Sequence, residues 1–144
     1  MDLAETLGHL RRKLGGDPLV PDADGRVRLA FADGLELALV PAGRGRLVAE
    51  VGLGALPAAA GPREERLRRL LVRSLATMRE APEVLALDEA GGGQPTVWRY
   101  LDLPDLSPAG LEEAVAGLLD RAEWLRADPA PVATRPAGPL LFFP

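Results

Sequence analysis

Between Val27 and Leu53 the chain sets an apolar side chain at almost every second position, a period that fits antiparallel strands and no helix. Val27, Leu29 and Phe31 alternate with Arg28 and Ala30; Leu35, Leu37 and Leu39 alternate with Glu36 and Ala38; Leu47, Ala49, Val51 and Leu53 alternate with Arg46, Val48 and Glu50. A period of two puts each set on one face of a sheet. Asp33-Gly34 supplies the residues of a two-residue hairpin turn and Pro41 to Gly45 a looser one, so the segment reads as a three-strand meander. A sheet with one apolar face must be covered by other elements.

Three helical segments supply the cover. Asp2 and Glu5 have capping-box spacing ahead of Leu3, Leu7, Leu10 and Leu14, which share one helical face until Gly15 and Gly16 stop the helix. Arg63 to Arg79 carries Leu67, Leu70, Leu71, Leu75 and Met78 on one side and ends before Pro82. Ser107 as N-cap and Pro108 at the first helical position open a third, with Leu111, Val115, Leu118, Leu119, Ala122 and Leu125 as its stripe. Val84 to Leu87 and Thr96 to Leu103 are two further strands, separated by Gly91 to Gly93. The order helix, three strands, helix, two strands, helix defines the α+β class: one domain over residues 1–127, then a proline-rich extended tail over 128–144.

Composition narrows the chemistry. The 144 residues hold no cysteine, which removes disulfides, thiol catalysis and zinc–thiolate sites, and one histidine, His9, which removes a multi-histidine metal site. Seventeen basic against 21 acidic side chains argue against a nucleic-acid-binding domain, since phosphate neutralisation needs a basic face. No apolar run approaches the ~20 residues of a bilayer span, and Met1 to Leu14 is too charged for a secretion signal. The chain reads as cytoplasmic. Asp17, Asp22 and Asp24 fall short of a calcium loop because Pro18 and Pro21 interrupt them and no glutamate closes the set; a solvated turn is the reading. His9 reads as a boundary side chain rather than a catalytic base, and the adjacent pairs Asp88-Glu89 and Glu112-Glu113 read as turn and helix-start charge. No catalytic residue, cofactor or metal is expected.

The central helix says more. Six arginines against Glu64 and Glu65 make it basic in an acidic chain, so it is expected to pair with acidic surface of its own chain or of a partner; an anionic membrane or nucleic acid is the other possibility. Val72 and Leu75 widen its apolar arc, as in a helix buried on two sides, and its ~25 Å length suffices for a dimer interface. Trp98 and Tyr100 share one strand face and read either as core packing or as an interface anchor.

The opening amphipathic helix, the Leu35 to Val40 strand after Asp33-Gly34, the stretch Val51-Gly52-Leu53-Gly54-Ala55-Leu56-Pro57, the Leu70-Leu71 pair, the Leu85-Ala86-Leu87-Asp88 strand and the last helix with Leu118, Leu119, Ala122 and Trp124 together resemble the CesT (Tir chaperone) family of type III secretion chaperones. The likeness covers about residues 2 to 127. It implies a cytoplasmic bacterial homodimer without catalytic activity that binds the N-terminal segment of a secreted effector or translocator in extended form and keeps it soluble and secretion-competent. A regulatory relative that sequesters a transcriptional regulator or another chaperone would share the same pattern. Such a client adds a strand to an exposed sheet edge, where main-chain hydrogen bonds give sequence-tolerant affinity. On this reading Leu3, Leu7, Leu10, Leu35, Leu37 and Leu47 are expected to contribute to client grooves, and Leu70, Leu71, Leu75, Met78, Trp98 and Tyr100 to the dimer interface.

Overall fold

In the computed structural model, which describes residues 1–31, 33–88 and 92–127, Asp2 caps the first helix, α1 (Leu3–Leu14). Its carboxylate accepts from the Glu5 amide at 2.8 Å while the Glu5 carboxylate accepts from the Asp2 amide at 2.9 Å, the reciprocal pair the spacing predicts. Gly15, at φ 71°, closes the helix.

The meander follows as β1 (Val27–Ala30), β2 (Glu36–Pro41) and β3 (Arg46–Gly52). The expected two-residue Asp33-Gly34 hairpin is not what forms: pairing stops at Ala30 opposite Glu36, so the connection is longer. The reason is parity. A two-residue turn at 33–34 would set Leu29 opposite Ala38, an outward residue, whereas directly opposed residues must share a face. The observed register sets Leu29 opposite Leu37 and Val27 opposite Leu39, apolar against apolar. Asp33 still shapes the corner, its Oδ1 accepting from the Leu35 amide at 3.0 Å, and Gly34 takes φ 81°.

The remaining elements are α2 (Ala60–Thr77), β4 (Val84–Asp88), β5 (Gln94–Asp102), a short 3-10 turn (Leu103–Asp105) and α3 (Pro108–Arg126), which Ser107 caps by accepting from the Gly110 amide at 3.0 Å. All pairings are antiparallel, in the order β1-β2-β3-β5-β4, so β1 and β4 are the two edges. The α+β architecture and its element order are those expected. The tail expected over 128–144 lies outside the described residues.

Leu37, Leu39, Leu47, Ala49, Val51, Val97 and Leu101 form the inner sheet face, and α3 covers it with Leu111, Val115, Leu118, Ala122 and Leu125. One charged pair shares this layer. Glu83, only 6% exposed, accepts from Arg99 at 3.1 Å, and the charge of Glu83 also acts on Arg121, whose guanidinium burial pulls below the usual arginine range.

Candidate functional site

Two apolar surfaces remain open after the core has formed. The first belongs to α2. Among the described residues only Leu70 of this helix is buried; Leu71, Val72, Leu75 and the C-cap Met78 are 55–63% exposed, and Leu87 on the β4 edge, which lines the same contact with α2, adds to the patch. Leu67, Leu70, Leu71, Leu85 and Leu87 line a cavity of about 310 Å³ where α2 meets β4. An exposed apolar area of this kind, bordered at Val72 by Arg68, Arg69 and Arg73, marks an interaction site.

The basic side chains of α2 explain how the helix is seated. Arg66 donates to the carbonyl of Arg126 at 3.4 Å and Arg73 to that of Ala127, so both meet the negative end of α3. Trp124 lies between two guanidinium groups, with Arg73 4.1 Å and Arg121 4.7 Å from its ring centre. Arg68 pairs with Glu64 at 3.0 Å within the helix. The helix is thus fastened to its own chain through one side. At ~100° per residue, Leu71, Leu75 and Met78 lie a third of a turn or more away from Arg66 and Arg73.

The second surface is a trough between α1, the segment 15–20 and the outer edge of β1. Leu14, Leu19, Val20, Leu29 and Phe31 line a cavity of about 640 Å³, and on the other side of Pro18 and Leu19 a second of about 290 Å³ reaches Ala4 and Leu7. Leu14 and Val20 are 47% and 73% exposed. Beside them β1 is paired on one side only. Its free edge offers backbone donors and acceptors next to apolar pockets, the chemistry by which an extended segment is held.

The sequence-predicted residues divide between surface and core. Leu10, Leu35, Leu37 and Leu47 are at most 2% exposed, so their side chains lie in the core; Leu70, 1% exposed, forms the floor of the cavity between α2 and β4; period-two and helical patterns mark the face that is filled, not the one left open. Leu3 and Leu7 are half-buried against the core, and Leu7 borders the trough. Leu71, Leu75 and Met78 form the α2 patch. Trp98 and Tyr100 lie elsewhere, on the sheet face opposite α3, their rings edge to face at 5.1 Å with Arg46 stacked 5.0 Å from the Tyr100 centre. Leu14, Leu19, Val20 and Phe31, which line the trough, were not among the expected residues. Leu19 and Val20 stand in a proline-flanked, irregular segment where no periodicity exists to point at them.

The polar candidates are engaged in structural contacts. Asp22 accepts from the amides of Asp24 and Arg26, both at 2.9 Å, and these bonds, that of Arg26 foremost, hold its carboxyl below the usual range. His9 and Lys13 reach Glu112 at 2.8 and 3.0 Å, tying α1 to α3 and lowering the Glu112 pKa, Lys13 the larger cause. Outward from the sheet, Arg26 pairs with Glu50 at 2.6 Å and Arg28 with Glu36 at 2.8 Å. Asp33 and Glu123 share a hydrogen bond that raises the Glu123 pKa; Asp33 is lowered, chiefly by the Leu35 amide. Both stand exposed at a corner rather than in an enclosed cleft of the kind acid–base catalysis uses. Among the described residues no group of three or more His, Cys, Asp or Glu is placed to hold a metal ion, and no helix is long and apolar enough to cross a membrane.

Comparison with known proteins places this geometry. The family model described as "Tir chaperone protein (CesT) family" matches residues 5–126. A search of curated proteins gives no match. Among solved structures, the chain is similar to one in the HopA1–SchA chaperone–effector complex, with 26% identity, a TM-score of 0.64, and coverage of 85% of this chain and 91% of that one. It shares its fold with a chain of the ExsC–ExsE complex (24% identity, TM-score 0.64, 88% and 95% covered). The same holds for a structure of the Yersinia pestis type III secretion chaperone SycH with a fragment of YscM2 (22% identity, TM-score 0.59, 84% and 97% covered).

Proposed function

Because this chain belongs to the Tir chaperone protein (CesT) family, we propose that it is a type III secretion chaperone: a cytoplasmic, non-catalytic homodimer that holds the N-terminal segment of a secreted effector or translocator in extended form. The observation that carries the reading is the pair of open apolar surfaces, one suited to a rigid twin and one to an unfolded guest. The α2 patch is helical, preformed and continuous with β4, as a self-complementary two-fold contact requires. The trough combines pockets with an unpaired strand edge, which suits a segment lacking structure of its own. Ordering such a segment costs about 2–5 kcal/mol or more, so an extensive surface is needed, and a dimer supplies two troughs.

On this reading Leu71, Leu75 and Met78, with Leu87, form the dimer seam, and Leu7, Leu14, Leu19, Val20 and Phe31 receive the client beside β1. The likeness to a chain of a chaperone–effector complex supports it. The test is co-expression with a secreted protein of the same secretion system, followed by hydrogen exchange on the purified complex. The expected result is two chaperone copies per client, with new protection at residues 14–20 and 27–31. A folded, solitary chain that leaves such clients insoluble would refute the reading.

A further inference from the structure

We infer that the joint between α2 and α3 is an oxyanion site, in which Arg73 and Arg121 grip a phosphate or phosphomonoester dianion beside the exposed ring of Trp124. Three observations converge on this. The first is the balance of charge. The guanidinium groups of Arg73, Arg99 and Arg121 gather where the second half of α2, the last turns of α3 and the residue before β4 meet, and among the described residues Glu83 is the one carboxylate paired with any of them. Glu83 is 6% exposed and already accepts from Arg99 at 3.1 Å, while Arg73 reaches only the neutral carbonyl of Ala127. Arg73 and Arg121 are therefore left in excess. Burial pulls the Arg121 guanidinium below the usual arginine range; Glu83 opposes that pull, and the like charge of Arg73 adds to it.

The second is a pair of orphaned donors. The Nε groups of Arg99 and Arg121 are buried and meet no acceptor. A buried unsatisfied donor calls for a physical reason, and on a cation that reason is a counter-ion received by the rest of the same guanidinium.

The third is access and fit. Trp124 is 39% exposed and Arg73 and Arg121 are half-buried, so the joint opens to solvent. The two guanidinium carbons lie 4.1 and 4.7 Å from one ring centre, which sets them within ~9 Å of each other. Two charge-assisted hydrogen bonds of ~2.8 Å and the width of one phosphate bridge such a gap. The planar fork of arginine matches phosphate oxygens, and a dianion balances both free cations where a single carboxylate would balance one. An anion held there ties α2 to α3 on the side away from the Leu71 patch. The inference is independent of the proposed function.

Trp124 is its own reporter, because in a Trp98→Phe chain it is the sole tryptophan. At fixed ionic strength, inorganic phosphate is expected to change its fluorescence saturably, with a midpoint below ~10 mM, and to slow amide exchange across residues 66–77 about threefold. Arg121→Met is expected to abolish both effects. Arg121→Lys, which keeps the charge and loses the fork, is expected to raise the midpoint about tenfold. Arg46→Met, which removes the arginine stacked on Tyr100 across the sheet, is expected to alter neither. A response that sodium chloride reproduces at equal ionic strength overturns the inference, as does one that survives Arg121→Met, one undiminished in Arg121→Lys, or no response at all. Glycerol phosphate separates the two sources of the same chemistry: tighter binding than inorganic phosphate sustains the site as one for an esterified anion, equal or weaker binding as one for the free ion.

Discussion

Leu71→Arg tests the seam most directly. Leu71 is 55% exposed in the single chain, so a little over half of its side chain remains to be covered. Full burial of a leucine is worth about 1.5–3 kcal/mol, so covering the remainder contributes roughly 1–1.5 kcal/mol, and two-fold symmetry counts it twice. Arginine adds the cost of two like charges near one axis, partly desolvated, of about 1–2 kcal/mol. The sum, near 4 kcal/mol, weakens the dimer by about a thousandfold. Sedimentation velocity across a dilution series reads this as a shift from twice 15.3 kDa towards 15.3 kDa. Because the side chain is exposed in the single chain, its secondary structure by circular dichroism is expected to persist, apart from the stability that dimerisation itself adds. A variant that dimerises as tightly as the parent would refute the seam and the arithmetic together, and a parent that stays monomeric at ~100 μM would refute the dimer.

Arg99→Met leaves the Glu83 carboxylate buried beneath α3 without its 3.1 Å partner and is expected to cost about 3 kcal/mol in chemical denaturation, while adding Glu83→Gln recovers most of the loss. Glu112 is held below the usual glutamate range by Lys13 and His9, so its contribution to stability is complete above that range and fades as pH falls through it. Thermal melts of Glu112→Gln between pH 7 and 3 are therefore expected to show a flatter acid limb than the parent, and parallel limbs would dismiss the contact. Trp124→Ala removes the ring between Arg73 and Arg121 and should loosen α2 by about 1–2 kcal/mol, read as faster amide exchange across 66–77 with α3 unchanged.

How much of this was legible beforehand depended on whether the feature repeats along the chain. The α1 cap, the Ser107 cap, the alternation in the meander and the apolar stripe of α3 all recur at a fixed spacing, and they appear where that spacing puts them. The hairpin at Asp33-Gly34 misled because dipeptide turn preference is local, whereas strand register is set by which faces must meet across the sheet. Leu35, Leu37 and Leu47 could not be told from groove residues, since a leucine in an alternating run records burial without naming what buries it. Trp98 and Tyr100 share a face as expected, but which face became plain only once α3 had taken the other. The arginines of α2 were visible as charge; that Arg66 and Arg73 seek the carbonyl end of α3 depends on tertiary placement that no window of sequence contains.

With a single fully buried leucine and a clasp of arginines along one flank, α2 is a helix that an isolated protomer holds loosely. In the proposed dimer, a copy without a twin would offer proteases a peeling helix, while one that finds a mate would be protected. The supply of this protein would accordingly follow the square of its synthesis at low expression, a threshold that makes scarce chaperone scarcer and ample chaperone durable.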